Sequence, residues 1–168
     1  METLKIYRVS DKYIRFLRSR DDKVQDNKER RRPYVGVVLL MGAYKYFVPM
    51  ESPKPNHAKI KPGRHIMMLE DGKLGLLGFN NMIPIPDTAL IDFDINKEPD
   101  PKYAELLRRQ ASFINRKKAD IFTHAAQTYY HTVTKKNRFL LGICCDFRKL
   151  ERACDKYDPN YQPPGKSS

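Results

Sequence analysis

The chain has 168 residues, enough for one domain with a substantial core, and 40% hydrophobic content with ten Tyr and eight Phe is typical of a folded protein. Lys and Arg number 32 against 20 Asp and Glu, a net charge of +12 at neutral pH, so the long-range field attracts polyanions. No apolar run reaches the roughly 20 residues of a membrane span, and Met-Glu-Thr-Leu-Lys lacks a signal peptide's apolar stretch, so a cytoplasmic protein without membrane contact is expected.

The first half reads as strands. Leu4, Ile6 and Val9 alternate with Lys5 and Arg8, and Asp11 is expected to cap a short helix bearing Tyr13, Ile14, Phe16 and Leu17. A charged loop runs from Arg18 to Pro33. Residues 34–41 and 44–48 form a hairpin pattern about Gly42, and 65–69 and 74–79 form a second about Asp71-Gly72. Met82 to Ile85 and Leu90-Ile91 read as edge strands limited by their prolines. Short strands with tight turns suggest a strongly bent antiparallel sheet or a small barrel.

From Asp100 the period changes. Pro101 suits a helix N1 position, with Tyr103, Leu106, Leu107, Phe113 and Ile114 as its apolar stripe. Phe122, Ala126, Tyr129, Tyr130 and Val133 mark a second helix, and Phe147, Leu150, Ala153 and Tyr157 a third. The expected organisation is an α+β domain over residues 1–158, with a β-rich core at about 4–92, helices at about 100–158, and a polar, Pro-rich tail at 159–168.

The charge is uneven. From Arg108 to Arg138 there are eight basic residues and one acid, Asp120, while Ser52 to Leu69 holds Lys54, Lys59, Lys61 and Arg64 with no acid. Three basic runs of one sign point to nucleic acid rather than a merely solvated face. His124 and His131 lie seven apart, about 10 Å along a helix and too far to hold one ion, so with Gln127 they form a polar face that is solvated or touches RNA. Asp21, Asp22 and Asp26 sit among Lys and Arg and read as local charge balance rather than a metal site. Three cysteines, two of them adjacent, match neither a disulfide framework nor zinc spacing and are expected as buried free thiols. No phosphate-binding Gly-rich loop is present, and no metal or cofactor is called for.

The most reactive stretch follows the first hairpin. In Pro49-Met50-Glu51-Ser52-Pro53-Lys54-Pro55-Asn56-His57 a carboxylate, a hydroxyl, an ammonium and an imidazole emerge from a proline-stiffened loop. RNA carries its own nucleophile, so such groups beside Arg30-Arg31-Arg32 need only take the 2′-OH proton, stabilise the phosphorane and protonate the leaving oxygen. The rival reading is a non-catalytic protein that binds structured RNA, which the same basic and aromatic residues would serve.

Ile6 to Ile14, Asp21 to Val24, Tyr34 to Val38, Lys45-Tyr46, Pro49 to Lys54, Leu74 to Leu76 and Asn81 to Ile85, in this order and spacing, resemble the ToxN and AbiQ family of type III toxin–antitoxin endoribonucleases, and most of all its CptN subgroup. The resemblance implies a bent fold similar to the MazF and Kid toxins. It implies metal-independent, sequence-selective RNA cleavage leaving a 2′,3′-cyclic phosphate and a 5′-OH. It also implies inhibition by a small, repeated, pseudoknotted RNA antitoxin that the enzyme processes, in a closed assembly with several toxin copies, and cellular or phage RNA as substrate. By position, Ser52 and Lys54 match the family's active-site serine and lysine, Arg32 stands where a lysine is found, Glu51 where a threonine is found, and His57 matches a histidine after the motif. Lys54 and Arg32 are expected on the phosphate oxygens with Ser52, and Glu51 or His57 as base, with Lys54 a candidate acid. RNA contacts are expected from Lys45, Lys59, Lys61, Arg64, Lys117, Lys118, His124, His131, Lys135 and Lys136.

Overall fold

The computed structural model describes residues 3–160, so all but the first two residues of the expected tail lie outside the described residues. In chain order the elements are β1 (Lys5–Val9), α1 (Asp11–Arg18), β2 (Tyr34–Met41), β3 (Tyr44–Glu51), β4 (Ile66–Leu69), β5 (Gly75–Gly78), β6 (Ile83–Pro84), β7 (Leu90–Asp92), α2 (Pro101–Arg116), α3 (Lys118–Val133), α4 (Arg138–Ile143) and α5 (Phe147–Lys156). Apart from α1, the strands precede the helices, as in an α+β fold.

All strand pairings are antiparallel, and the order β4-β5-β3-β2-β1-β7 is open, with β6 added to β3. The sheet does not close, so the barrel alternative is not realised. Its centre is the β2–β3 hairpin, turned at Gly42, whose φ of 59° suits the tight connection. On its other side β3 first pairs with β6, through Tyr46 and Phe47, and then with β5, through Met50 and Glu51. This second pairing carries β3 through Pro49 to Glu51, three residues beyond the sequence expectation, because β5 supplies a partner where β6 ends.

That pairing depends on Gly75. Its φ is +105°, and a Cβ there would lie 1.9 Å from the Glu51 carbonyl oxygen. Only glycine permits β5 to pass so close to the end of β3. Gln110 of α2, buried, donates from Nε2 to the Leu74 carbonyl at 2.8 Å and braces the same strand.

The core lies between the sheet and the helices, where Tyr34, Val35, Tyr46 and Phe47 meet Leu107, Ile121, Phe147 and Leu150. Glu151 enters this layer from α5. Its Oε2 accepts the hydroxyls of Tyr46 and Tyr129, both at 2.7 Å, and Arg148 Nη1 lies 3.4 Å from Oε1, so the buried carboxylate is fully engaged. Burial, with the hydrogen bond to Glu151, pushes the pKa of both tyrosines up, keeping them as donors.

Local expectations fail in three places. Ser10, not Asp11, caps α1, its Oγ accepting the Tyr13 N–H at 3.2 Å, while Asp11 accepts from Asn27 Nδ2. On α3 the buried positions are Ile121, Ala125, Thr128, Tyr129 and Thr132, so the inward face is rotated from the expected stripe, and Tyr130 is exposed. α4 was not expected at all. All three cysteines are free, with Cys144 and Cys145 buried and Cys154 partly so. Among the described residues no helix is long and apolar enough to cross a membrane.

Candidate active site

β3 presents Glu51 at its last position, after which the chain leaves the sheet through Ser52-Pro53-Lys54 into a 3-10 turn, Pro55–Lys59. Lys54 is extended, at φ −135° and ψ 150°, and its N–H donates to His57 Nδ1 at 3.3 Å while the His57 N–H donates back to the Lys54 carbonyl at 3.0 Å. Because Nδ1 accepts, neutral His57 carries its proton on Nε2, and Nε2 lies 3.7 Å from Glu51 Oε2. His57 is 3% exposed and Glu51 30%, so the carboxylate is the member of this pair that an incoming molecule can reach. Ser52 and Lys54 are both exposed, and Lys54 forms no ion pair among the described residues.

Arg32 reaches the same place from the other side of the hairpin. It is buried, its Nε donating to the Asp26 carbonyl at 2.8 Å and its backbone N–H to the Asn27 carbonyl at 3.1 Å. Two cavities share Arg32 and Glu51 as a common wall. The first, about 500 Å³, is lined by four cations, Arg8, Lys28, Arg31 and Arg32, together with Ser52 and Glu51, and is closed by Glu98 and Tyr103. The second, about 300 Å³, is lined instead by amides and rings, among them Gln25, Asn80, Asn81, His65 and Phe139. Burial and the neighbouring His124 lower the His65 pKa, which favours the neutral ring there.

Arg8 is a member of the first cavity that sequence reasoning missed. Its guanidinium lies 4.3 Å from the Phe93 ring centre, Nη1 donates to the Arg30 carbonyl at 3.2 Å, and Nε is buried without a partner. The adjoining loop is tightly coiled: Lys28, Glu29 and Arg30 have φ of 49°, 56° and 68°, a conformation that side-chain-bearing residues rarely adopt in succession.

A cationic cavity, a hydroxyl and a reachable carboxylate thus converge at the end of one strand, while exposed Lys54 follows two residues after Ser52 and lines neither cavity. The family model described as Toxin ToxN, type III toxin-antitoxin system, matches residues 5–155. The chain belongs to this ToxN family. It is 34% identical to the endoribonuclease ToxN of Bacillus thuringiensis subsp. kurstaki, covering 91% of this chain and 84% of that protein. It is 30% identical to the endoribonuclease AbiQ of Lactococcus lactis subsp. lactis, covering 92% and 90%. A solved type III toxin, selectively inhibited by a non-coding RNA pseudoknot, superposes with a TM-score of 0.82 at 32% identity, over 93% of this chain and 98% of that one.

Within this ToxN-family fold the other sequence-predicted residues disperse. Lys45 lies at the far end of β3, about 20 Å from Glu51, where its Nζ pairs with Asp87 at 3.3 Å. Lys59 is exposed at the end of the 3-10 turn, and Lys61 and Arg64 are exposed between that turn and β4. His124 neither faces solvent freely nor pairs with His131. Its Nδ1 bonds the Arg64 carbonyl at 2.9 Å, with Thr128 Oγ1 at 2.8 Å on the same oxygen, and its ring stacks on Phe79. His131 instead bonds Gln127 at 3.0 Å. Lys117 and Lys118 stand at the α2–α3 junction and Lys135 and Lys136 just beyond the other end of α3. Asp21 accepts the Lys23 and Asp146 N–H groups, a local structural role.

Proposed function

We propose that this ToxN-family endoribonuclease cleaves RNA without a metal, by attack of the 2′-OH on the adjacent phosphate. Glu51 takes the 2′-OH proton as the new O–P bond forms. Arg32 and Ser52 bind the non-bridging oxygens, where negative charge accumulates. The P–O5′ bond then breaks, Lys54 donates the proton that the leaving oxygen needs, and the products are a 2′,3′-cyclic phosphate and a 5′-OH. His57 is a positioning residue, because its protonated Nε2 faces Glu51 and its ring is buried. Arg32 is a clamp only, since a guanidinium does not give up its proton at physiological pH.

The observation that carries this reading is the shared cavity of Arg32, Glu51 and Ser52; Lys54, two residues along the chain, is exposed and makes no ion pair among the described residues. The family likeness supports a structured, repeated RNA as inhibitor and processed precursor, several toxin copies in a closed assembly, cellular or phage RNA as target, and action in the cytoplasm. Purified protein incubated with RNA in EDTA tests the chemistry. Cleavage should persist and end-group analysis should find the cyclic phosphate; a strict Mg²⁺ requirement, or 3′-OH products, would sink the mechanism. Ser52→Ala and Lys54→Ala should each lower the cleavage rate at least 100-fold with unchanged thermal unfolding, since both residues are exposed.

A further inference from the structure

The second cavity has a polarity that follows from one hydrogen-bond chain. Asn81 Nδ2 donates to the Lys23 carbonyl at 2.7 Å, and a backbone carbonyl only accepts, so Asn81 must turn its Oδ1 the other way. That oxygen receives Gln25 Nε2 at 2.8 Å and Asn80 Nδ2 at 3.2 Å. A second backbone carbonyl, that of Ile143, takes Asn80 Nδ2 at 3.4 Å. Asn80 therefore has both of its amide N–H groups engaged, and Gln25 one of its two. Gln25 Oε1 and Asn80 Oδ1 remain as acceptors with no donor among the described residues, and both residues line the cavity. Gly78 also lines the cavity, and a Cβ there would come into ordinary contact with Asn80 Oδ1 at 3.4 Å.

The rest of the lining suits a flat ring. Phe139 is 61% exposed, an unusual position for a large aromatic side chain, and is held edge-on to His65 at 5.4 Å between ring centres. Ile60, Ile66 and Ile143 supply apolar walls, and Arg32 is the one cation among the cavity's lining residues. A phosphate would find little to pair with here, whereas the cavity across the Arg32–Glu51 wall holds four cations.

Resting on the reading of the site given above, we infer that this cavity is a nucleobase subsite for the nucleotide beside the scissile phosphate, and that Asn80, whose donors are both engaged, selects a base bearing an exocyclic amine. Adenine, cytosine and guanine each bring an amine that donates to Asn80 Oδ1. Uracil has none, and its carbonyl oxygens would face the Asn80 oxygen. Phe139 supplies the stacking surface.

Short RNAs identical except for A, C, G or U at each position flanking the cleavage site test this. The wild-type protein should cut the uracil variant at one such position about tenfold less efficiently in kcat/KM. Asn80→Ala should reduce that discrimination to near unity by slowing the amine-bearing substrates. Phe139→Ala, on the surface and so without effect on unfolding, should raise KM for all four bases and leave kcat little changed. Equal cleavage of all four bases at every position would overturn the subsite, as would a preference that survives in Asn80→Ala with Phe139→Ala behaving as wild type. If the wild-type protein cut none of these RNAs, the endoribonuclease reading itself would fall, and the subsite with it.

Discussion

Side-chain chemistry at the end of β3 was legible because Glu51, Ser52, Lys54 and His57 are near neighbours in sequence. Their division of labour was not. Whether Glu51 or His57 is the base turns on a single backbone N–H, from Lys54 to Nδ1, which no spacing rule reveals. Arg8 was equally hidden: it joins Arg32 and Ser52 only because β1 lies beside β2. Nη1 of Arg8 is held by the Arg30 carbonyl and its guanidinium lies on Phe93, so its expected role is to bind substrate phosphate rather than to act on the reacting atoms. Arg8→Gln should lower the salt-dependence slope of RNA binding by about one unit and raise KM, with kcat at saturation nearly unchanged. Filter binding across a salt series reads this, and an unaltered slope would remove Arg8 from the substrate path.

At the scale of elements, the hairpins and the longer helices followed from their apolar periods. Short α4 did not, since its six residues expose Phe139 and Leu141 and offer no inward stripe long enough to read. The rotated face of α3 has a related cause. Thr128 is buried because its hydroxyl reaches the Arg64 carbonyl, and Thr132 because it lies against Cys144. Satisfied polar groups of this kind escape a hydrophobicity pattern. The junction of β3 and β5 is where element geometry meets chemistry. Gly75→Ala meets the Glu51 carbonyl and a positive φ together, so it should destabilise by about 2 kcal/mol or more and depress cleavage by displacing Glu51. Gly42→Ala, with open space around it, should cost about 1 kcal/mol from backbone strain alone and leave cleavage intact. Chemical denaturation of both variants, paired with rates at saturating RNA, separates the two effects.

Across the whole molecule, net charge announced a polyanionic partner correctly in kind but could not say where the charge sits. The basic run read as one track is divided by α3, whose sixteen residues place Lys117 and Lys118 about 24 Å from Lys135 and Lys136. Neutralising either lysine pair should weaken binding of a folded inhibitor RNA and flatten its salt dependence by about one unit for each phosphate no longer neutralised. Cleavage of a short unstructured RNA at saturation should stay within about twofold of wild type. A pair whose removal cut the rate and spared the affinity would belong to the catalytic centre.

The open strand order has a further outcome, for self-association. An unclosed sheet presents two rows of unpaired backbone groups, the usual template for edge-to-edge aggregation. Here one edge is β7, three residues long, with Asp92 exposed and Asp94 just beyond. The other is β4, four residues long, flanked by α2 and α3. Neither offers a second copy a long, flat, uncharged strand to extend. Strand-to-strand pairing between copies thus finds no long template, while the net charge of +12 draws polyanions.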